Sequence, residues 1–223
     1  MDKLCKKIVS DTFYKCVSGY HLCNIQPISE KKWEEINYTI LNNLDIKISS
    51  VSNGNHFSGT DIECSIGNLS NKTTKYTKNY INISSYRLTS VCNIGDNGSI
   101  DKILKEIYSR NNFDYYSILA RNESNNNNIE YVWYMIPKDY YYFDVKNYNW
   151  NPKYGKYGKN KNKQIGWETN KIDGNYISIT YSLSSQLWFH LNFLNLDNFI
   201  VSKVKITNII KYDYIQLFNK LTL

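Results

Sequence analysis

The stretch SGTDIECSIGNLSNKTT, residues 58–74, predicts a β-hairpin. Two β-type runs flank Gly67-Asn68, and Gly in the first central position suits a two-residue turn of the primed type. Counting outward from that turn pairs Glu63 with Lys72. Because side chains alternate faces along a strand, Asp61, Glu63 and Lys72 then lie on the same face of the hairpin.

Two carboxylates and one ammonium on a shared face outline a divalent-metal site. Carboxylates supply the hard oxygen ligands that Mg²⁺ prefers, and Mg²⁺ keeps several waters that a substrate can replace. A neighbouring Lys72 can orient an attacking water and balance the charge that develops on a phosphate. The simpler alternative is a cross-strand ion pair between Glu63 and Lys72, worth about 0.2–1 kcal/mol.

An Asp on one strand, a tight hairpin and a lysine on the next strand resemble the PD-(D/E)XK nuclease superfamily, and type II restriction endonucleases in particular. Residues 58–62 look like the strand that carries the first carboxylate in several of these enzymes. The resemblance implies a restriction-endonuclease-like core, Mg²⁺-dependent phosphodiester hydrolysis and a homodimer. By position it implies that Asp61 is the first metal ligand and that Lys72 is the lysine of the motif.

The chain departs from the motif at Ser70, where the pattern has Asp or Glu two residues before the lysine. Glu63 is our substitute for this second ligand because it shares the predicted face with Asp61. Glu34 or Glu35, on the helix predicted before the hairpin, are the alternatives.

The composition is that of a folded, moderately basic protein. The chain has 223 residues, 42% of them hydrophobic, and a formal net charge of +7. We expect one domain, residues 1–223, and a polyanionic partner such as nucleic acid. The five cysteines are an odd number without a Cys-x-x-Cys pair, which argues against a disulfide framework or a zinc site. With no signal-peptide or membrane-spanning run, we expect a soluble, cytoplasmic protein that does not bind membranes.

Helical and strand patterns alternate along the chain. Helices are predicted at 3–18, 29–44 and 99–111 and after about residue 209; strands are predicted at 46–51, 60–66, 69–76, 113–121, 129–136, 176–181 and 186–193, with another at 140–145. Residues 147–166 are predicted to be the longest irregular segment. This mixture predicts an α/β (α+β) fold with a mixed central β-sheet flanked by helices.

A basic tract, residues 153–163, is the second functional signal. Its five lysines alternate with tyrosines and glycines: Lys153, Lys156, Lys159, Lys161 and Lys163. Lysines can neutralise DNA phosphates, although a flexible solvated loop is an equally simple interpretation. Arg87, shortly after the hairpin, is either a further phosphate contact or part of a structural ion pair. His56 is a candidate phosphate or water contact.

These signals together predict a Mg²⁺-dependent, sequence-specific endonuclease that acts as a homodimer on double-stranded DNA. Asp61, Glu63 and Lys72 would be catalytic, with Asp61 and Glu63 as the metal ligands. One alternative is a nucleic-acid-binding protein without catalysis, which would use the basic tract. The other is a host-interaction or structural protein with no role in nucleic-acid chemistry.

Overall fold

The computed structural model describes residues 3–52, 59–89, 91–92, 98–125, 128–181, 185–207 and 212–221. Its helices are α1 (Lys3–Cys23), α2 (Glu30–Asn43), α3 (Ile100–Ser109) and α4 (Tyr214–Leu221). Its strands are β1 (Ile48–Val51), β2 (Ile62–Cys64), β3 (Gly67–Thr77), β4 (Tyr80–Arg87), β5 (Tyr115–Asn125), β6 (Asn128–Pro137), β7 (Trp150–Tyr154), β8 (Gln164–Thr169), β9 (Tyr176–Thr180), β10 (Gln186–Asn192) and β11 (Ile200–Thr207). Short 3₁₀ turns lie at Tyr141–Phe143, Val145–Asn147, Gly158–Asn160 and Phe193–Phe199.

The strands form one mixed sheet in the order β11-β6-β5-β3-β4-β10-β9-β8-β7, and β2 and β1 branch from β3. The strands β3 and β5 pair in parallel, and the other pairs are antiparallel. The predicted α/β class, with a large mixed sheet flanked by helices, is therefore confirmed.

The sheet folds over itself between β3 and β4. One face of β5, β6 and β11 packs on α1 and α2, where the rings of Trp33 and Trp133 meet edge to face with centroids 5.7 Å apart. The opposite face of β5 and β6 packs on α3 and on β4, β9 and β10, where the centroids of Tyr116 and Phe189 are 6.3 Å apart. Residues on β5 alternate between these two apolar layers, so that the strand is buried on both faces.

Most predicted elements are present, and the differences have physical causes. The apolar stripe at 29–44 forms α2, and the runs at 113–121 and 129–136 form β5 and β6. The strand predicted at 140–145 is wrong, because its aromatic side chains instead pack from two 3₁₀ turns. The segment 147–166, predicted to be irregular, includes β7 and the start of β8.

The strand β3 changes partner along one of its edges. Leu69 and the residues before it pair with β2, whereas Tyr76 and Thr77 pair with β4. Between them, no strand of the described chain pairs with this edge of β3, while its other edge stays paired with β5 over residues 69–75. We call this opening, between the end of the β2 pairing and the start of the β4 pairing, the β3 fork.

Within the described residues, none of the helices combines the length and the apolar character needed to cross a lipid bilayer.

Candidate functional site

The hairpin forms with a register different from the predicted one. Ile62 pairs with Leu69 and Cys64 with Gly67, so that the turn lies two residues earlier than Gly67-Asn68. The cause is a distant residue, Asp114. Its carboxylate accepts from the N–H of Asn68 at 2.8 Å, and its own N–H donates to the Asn68 carbonyl at 2.8 Å. These bonds hold Gly67-Asn68 as strand, and the predicted turn there is wrong.

The correction moves Glu63 away from Lys72. Glu63 lies opposite Asn68 and is exposed, so the predicted pairing of Glu63 with Lys72 is wrong. Because the turn moves by an even number of residues, each side chain stays on the predicted face of the hairpin, and Asp61 comes to lie near Ser70. The role of Glu63 as a metal ligand stays a prediction, at a position remote from the lysine that it was expected to accompany.

Asp61 and Lys72 meet at the β3 fork around the backbone of Asn71. Asp61 Oδ2 accepts from the Asn71 N–H at 2.6 Å, and Lys72 Nζ donates to the Asn71 carbonyl at 2.8 Å. Lys72 Nζ and Asp61 Oδ2 are 3.9 Å apart. The two side chains therefore occupy the hydrogen-bonding positions that a neighbouring strand would otherwise fill.

The helix α2 adds two carboxylates to this pair. Glu30 Oε1 accepts from Lys72 Nζ at 3.1 Å, and Glu34 lies one helical turn further along the same side of the helix. Glu30 was not among the sequence candidates. Its spacing of four residues from Glu34 was the available signal, and it gained meaning only once the helix was placed beside β3.

A buried polar cluster fixes α2 against the sheet. Asn37 Nδ2 donates to Asn71 Oδ1 at 2.6 Å and to Ser117 Oγ at 2.9 Å. The same Ser117 hydroxyl accepts from Trp133 Nε1 at 3.0 Å, and the backbone carbonyl of Ser117 accepts from Trp33 Nε1 at 3.0 Å. These bonds join α2 to β3 and β5 and so position its carboxylates, while Asn37 Oδ1 and Asn71 Nδ2 make no hydrogen bond within the described part of the chain.

Two of the carboxyl groups at the fork have raised pKa values, mainly because they are partly buried. Burial, followed by the negative charges of Asp61 and Glu30, raises the pKa of Glu34 from 4.5 to about 7. Burial also raises the pKa of Asp61, against the lowering effects of Lys72 and of the Asn71 N–H. Clusters of carboxyl groups with raised pKa values occur often at functional sites, where a cation or a reacting proton relieves the repulsion.

Glu34→Gln tests this crowding by a measurement of stability. Folding raises the pKa of Glu34, so protonation of Glu34 favours the folded state. This contribution to the free energy of unfolding is fully present below about pH 4.5 and is lost as the pH rises through about 7. A neutral Gln avoids that loss. For a partly solvated group we take the effect as about 1 kcal/mol. We therefore expect the Tm of Glu34→Gln to exceed that of wild type by about 2–4 °C at about pH 8 and to be nearly equal to it at about pH 5.

Glu35→Gln is the matched control for this calorimetric experiment, since Glu35 is exposed and pairs with Lys32 at 2.7 Å. It should give no gain at the higher pH. The same change of Tm for Glu34→Gln at both pH values would show that Glu34 is not crowded.

The residues at the fork fit Mg²⁺ as a partly hydrated ion. In the described part of the chain, no group of three or more His, Cys, Asp and Glu side chains is arranged to hold a metal ion. Mg²⁺ does not require such a cage, because proteins commonly bind it through one or two carboxylates, with water and substrate phosphates completing the shell. Asp61 and Glu34 can provide those two carboxylates, since burial and then the negative charge of Asp61 raise the pKa of Glu34.

The basic tract, residues 153–163, covers the end of β7 and the loop that leads to β8. Lys156, Lys159, Lys161 and Lys163 are exposed, and Lys153 Nζ lies 3.9 Å from Glu168 Oε2. The strands β7 and β8 are the outermost strands of the second part of the sheet. Three strands, β4, β10 and β9, lie between β3 and β8 in the sheet, so the tract and the fork are carried by different strands.

Arg87 and His56 are the two remaining sequence candidates. Arg87 is exposed at the end of β4, opposite Gln186, and its carbonyl accepts from Arg110 Nη1 at 3.1 Å. Its predicted phosphate contact stays a prediction. His56 lies outside the described residues.

Comparison with models of known protein families gave no match, and comparisons with curated proteins and with solved structures also gave none.

Proposed function

We propose that this protein is a Mg²⁺-dependent, sequence-specific endonuclease of the restriction type that cleaves double-stranded DNA, built on a restriction-endonuclease-like core. The observation that carries the proposal is the β3 fork. There Asp61 Oδ2 lies 3.9 Å from Lys72 Nζ, and on α2 burial, followed by the charge of Asp61, raises the pKa of Glu34.

The β3 fork offers a replacement for the second acid, which the sequence motif lacks at Ser70. Ser70, in the position where the motif has its second acid, is buried on β3. A carboxylate from α2 can replace that acid, since Glu34 lies on the helix that packs on this part of the sheet. We therefore propose Glu34, rather than Glu63, as the partner of Asp61.

Each residue at the fork has a chemical role in this proposal. Asp61 and Glu34 would hold Mg²⁺, which supplies polarisation of the scissile phosphate and a lower pKa of the attacking water when it is bound. Asn71 aligns Asp61 and Lys72, one through its N–H and the other through its carbonyl. Lys72, held in the free protein by half-exposed Glu30, would turn its ammonium toward the phosphate and stabilise the developing negative charge.

The direct test is incubation of the purified chain with mixed plasmid DNA in the presence of Mg²⁺ or of EDTA. Discrete fragments that require Mg²⁺ are the expected result. Retarded but intact DNA would favour a nucleic-acid-binding protein without catalysis, and DNA that is neither cut nor retarded would favour the interaction or structural role. The homodimer stays a prediction, which sedimentation of the full chain would test.

The basic tract should contribute electrostatic affinity for DNA. We expect that replacing Lys156, Lys159 and Lys161 with Ala flattens the plot of log affinity for duplex DNA against log salt by about 0.9 for each phosphate that is no longer neutralised. Fluorescence anisotropy in EDTA, at several salt concentrations, measures this slope without cleavage.

A triple variant on α1, with Lys6, Lys7 and Lys15 replaced by Ala, removes the same charge from exposed positions elsewhere and is the control. It should leave the slope nearly unchanged. Equal slopes for wild type and the tract variant would show that these lysines do not contact phosphates.

A further inference from the structure

The loop between β7 and β8 is a folded unit. The Gly155 N–H donates to the Lys163 carbonyl at 2.9 Å, and the Asn162 N–H donates to the Gly155 carbonyl at 2.9 Å. A Cβ atom at Gly155 would overlap the carbonyl of Asn160, so this close approach requires glycine. The interpretation as a flexible solvated loop does not fit these bonds, which hold the backbone of the loop in one conformation.

Two exposed aromatic side chains lie here, one at the end of β7 and one in the loop. Tyr157 is 86% exposed and Tyr154 is 56% exposed. A ring left in water gains nothing from the apolar contacts that would stabilise it by roughly 1.5–3 kcal/mol if buried. A fixed backbone also reduces the entropy that a ligand must overcome to use these rings.

The charged residues that flank Tyr157 in the loop are all lysines. Lys156, Lys159 and Lys161 are exposed on either side of Tyr157. Across the described ranges, no carboxylate lies within the 4.0 Å ion-pair distance of these three lysines. Exposed aromatic rings beside unpaired ammonium groups fit a polyanion that also carries flat apolar surfaces.

We propose that the β7–β8 loop binds single-stranded nucleic acid, with Tyr157 and Tyr154 stacking on unpaired bases while the lysines contact phosphates. Base–aromatic stacking tolerates any sequence because every base has a π-face. In duplex DNA the bases already stack on one another. Its phosphates can therefore contact the lysines of the loop, but its bases cannot stack on the tyrosine rings. The residues of this site belong to other strands than those of the β3 fork, and the binding that we propose does not depend on cleavage there.

The test uses anisotropy in EDTA with labelled oligothymidylate, oligouridylate and a duplex of the same length. We expect Tyr157→Ala to weaken binding of the single strand by about tenfold, and that of the duplex by less than about twofold. Tyr157→Phe keeps the ring and should bind like wild type. Tyr141→Ala, at an exposed tyrosine outside the loop, should also leave binding unchanged.

The outcomes separate the possible sources of the strand and do not depend on nuclease activity. Weaker binding confined to oligothymidylate identifies DNA as the strand, weaker binding confined to oligouridylate identifies RNA, and weaker binding of both shows that the sugar is not read. Equal weakening for single strand and duplex, or no change with any probe, would overturn the stacking proposal. Because Tyr157 is so exposed, its replacement does not threaten the fold.

Discussion

We expect Asp61→Asn to abolish the Mg²⁺-dependent cleavage of duplex DNA and to leave the fold and the binding of DNA intact. A neutral amide is a far poorer Mg²⁺ ligand than a carboxylate. A metal contributes several kcal/mol to the transition state, and each 1.36 kcal/mol is tenfold in rate, so the decrease should be on the order of a thousandfold. The rate of plasmid nicking under single-turnover conditions measures it.

The substitution is mild for the structure because of the bonds that Asp61 makes. The amide oxygen of Asn can still accept from the Asn71 N–H, which Asp61 Oδ2 holds at 2.6 Å. Removal of the charge also lowers the repulsion that raises the pKa of Glu34. Lys72 keeps Glu30 and the Asn71 carbonyl as partners. We therefore expect circular dichroism and duplex affinity in EDTA close to those of wild type.

Lys72 is a less clean target than Asp61. Its side chain is 11% exposed and is the ammonium that two carboxylates contact. Replacing it with Ala would leave the partly buried Asp61 without its counter-charge, and removing one partner of a buried ion pair is destabilising. An inactive variant at this position would therefore not separate chemistry from folding. Cleavage at the wild-type rate by Asp61→Asn would, in contrast, directly exclude the fork as the catalytic site.

Local patterns in the sequence were sufficient for much of the fold. The apolar spacing that begins at Trp33 predicts α2, and β-branched and aromatic runs predict β5 and β6. Asp61 and Lys72 were also recognisable, because the motif that carries them is short and local. These features depend on neighbours within one helical turn or one strand, which is the range over which periodicity is informative.

The register of the hairpin could not be predicted locally. Gly67-Asn68 has the composition of a turn, but its backbone pairs with Asp114, a residue 46 positions after Asn68. Glu30 and Glu34 present the same difficulty, since their approach to Asp61 depends on how α2 packs on the sheet. The strands β4, β7, β8 and β11 were not predicted. In β7 and β8, Pro152, lysines and glycines interrupt the apolar pattern, and pairing and packing against β9 determine the structure.

The identity of the second metal ligand is the last prediction, and it separates the sequence interpretation from the structural one. Glu34 lies on α2 beside the fork, whereas Glu63 is exposed opposite Asn68. We expect Glu34→Gln to lower the cleavage rate by at least about a hundredfold, since removal of a charged ligand weakens both Mg²⁺ binding and transition-state stabilisation. Glu63→Gln should cut like wild type, and so should Glu35→Gln on the exposed side of the same helix.

The dependence on Mg²⁺ and pH adds a second readout to the same three variants. Since the pKa of Glu34 is about 7, protons and Mg²⁺ should compete for it in the wild type. Cleavage at limiting Mg²⁺ should therefore rise with pH through about 7, and the midpoint should move to lower pH as Mg²⁺ increases. Glu63→Gln should keep this profile. If Glu63→Gln loses activity while Glu34→Gln retains it, Glu63 binds the metal in spite of its position, and the hairpin must change register when DNA or Mg²⁺ binds.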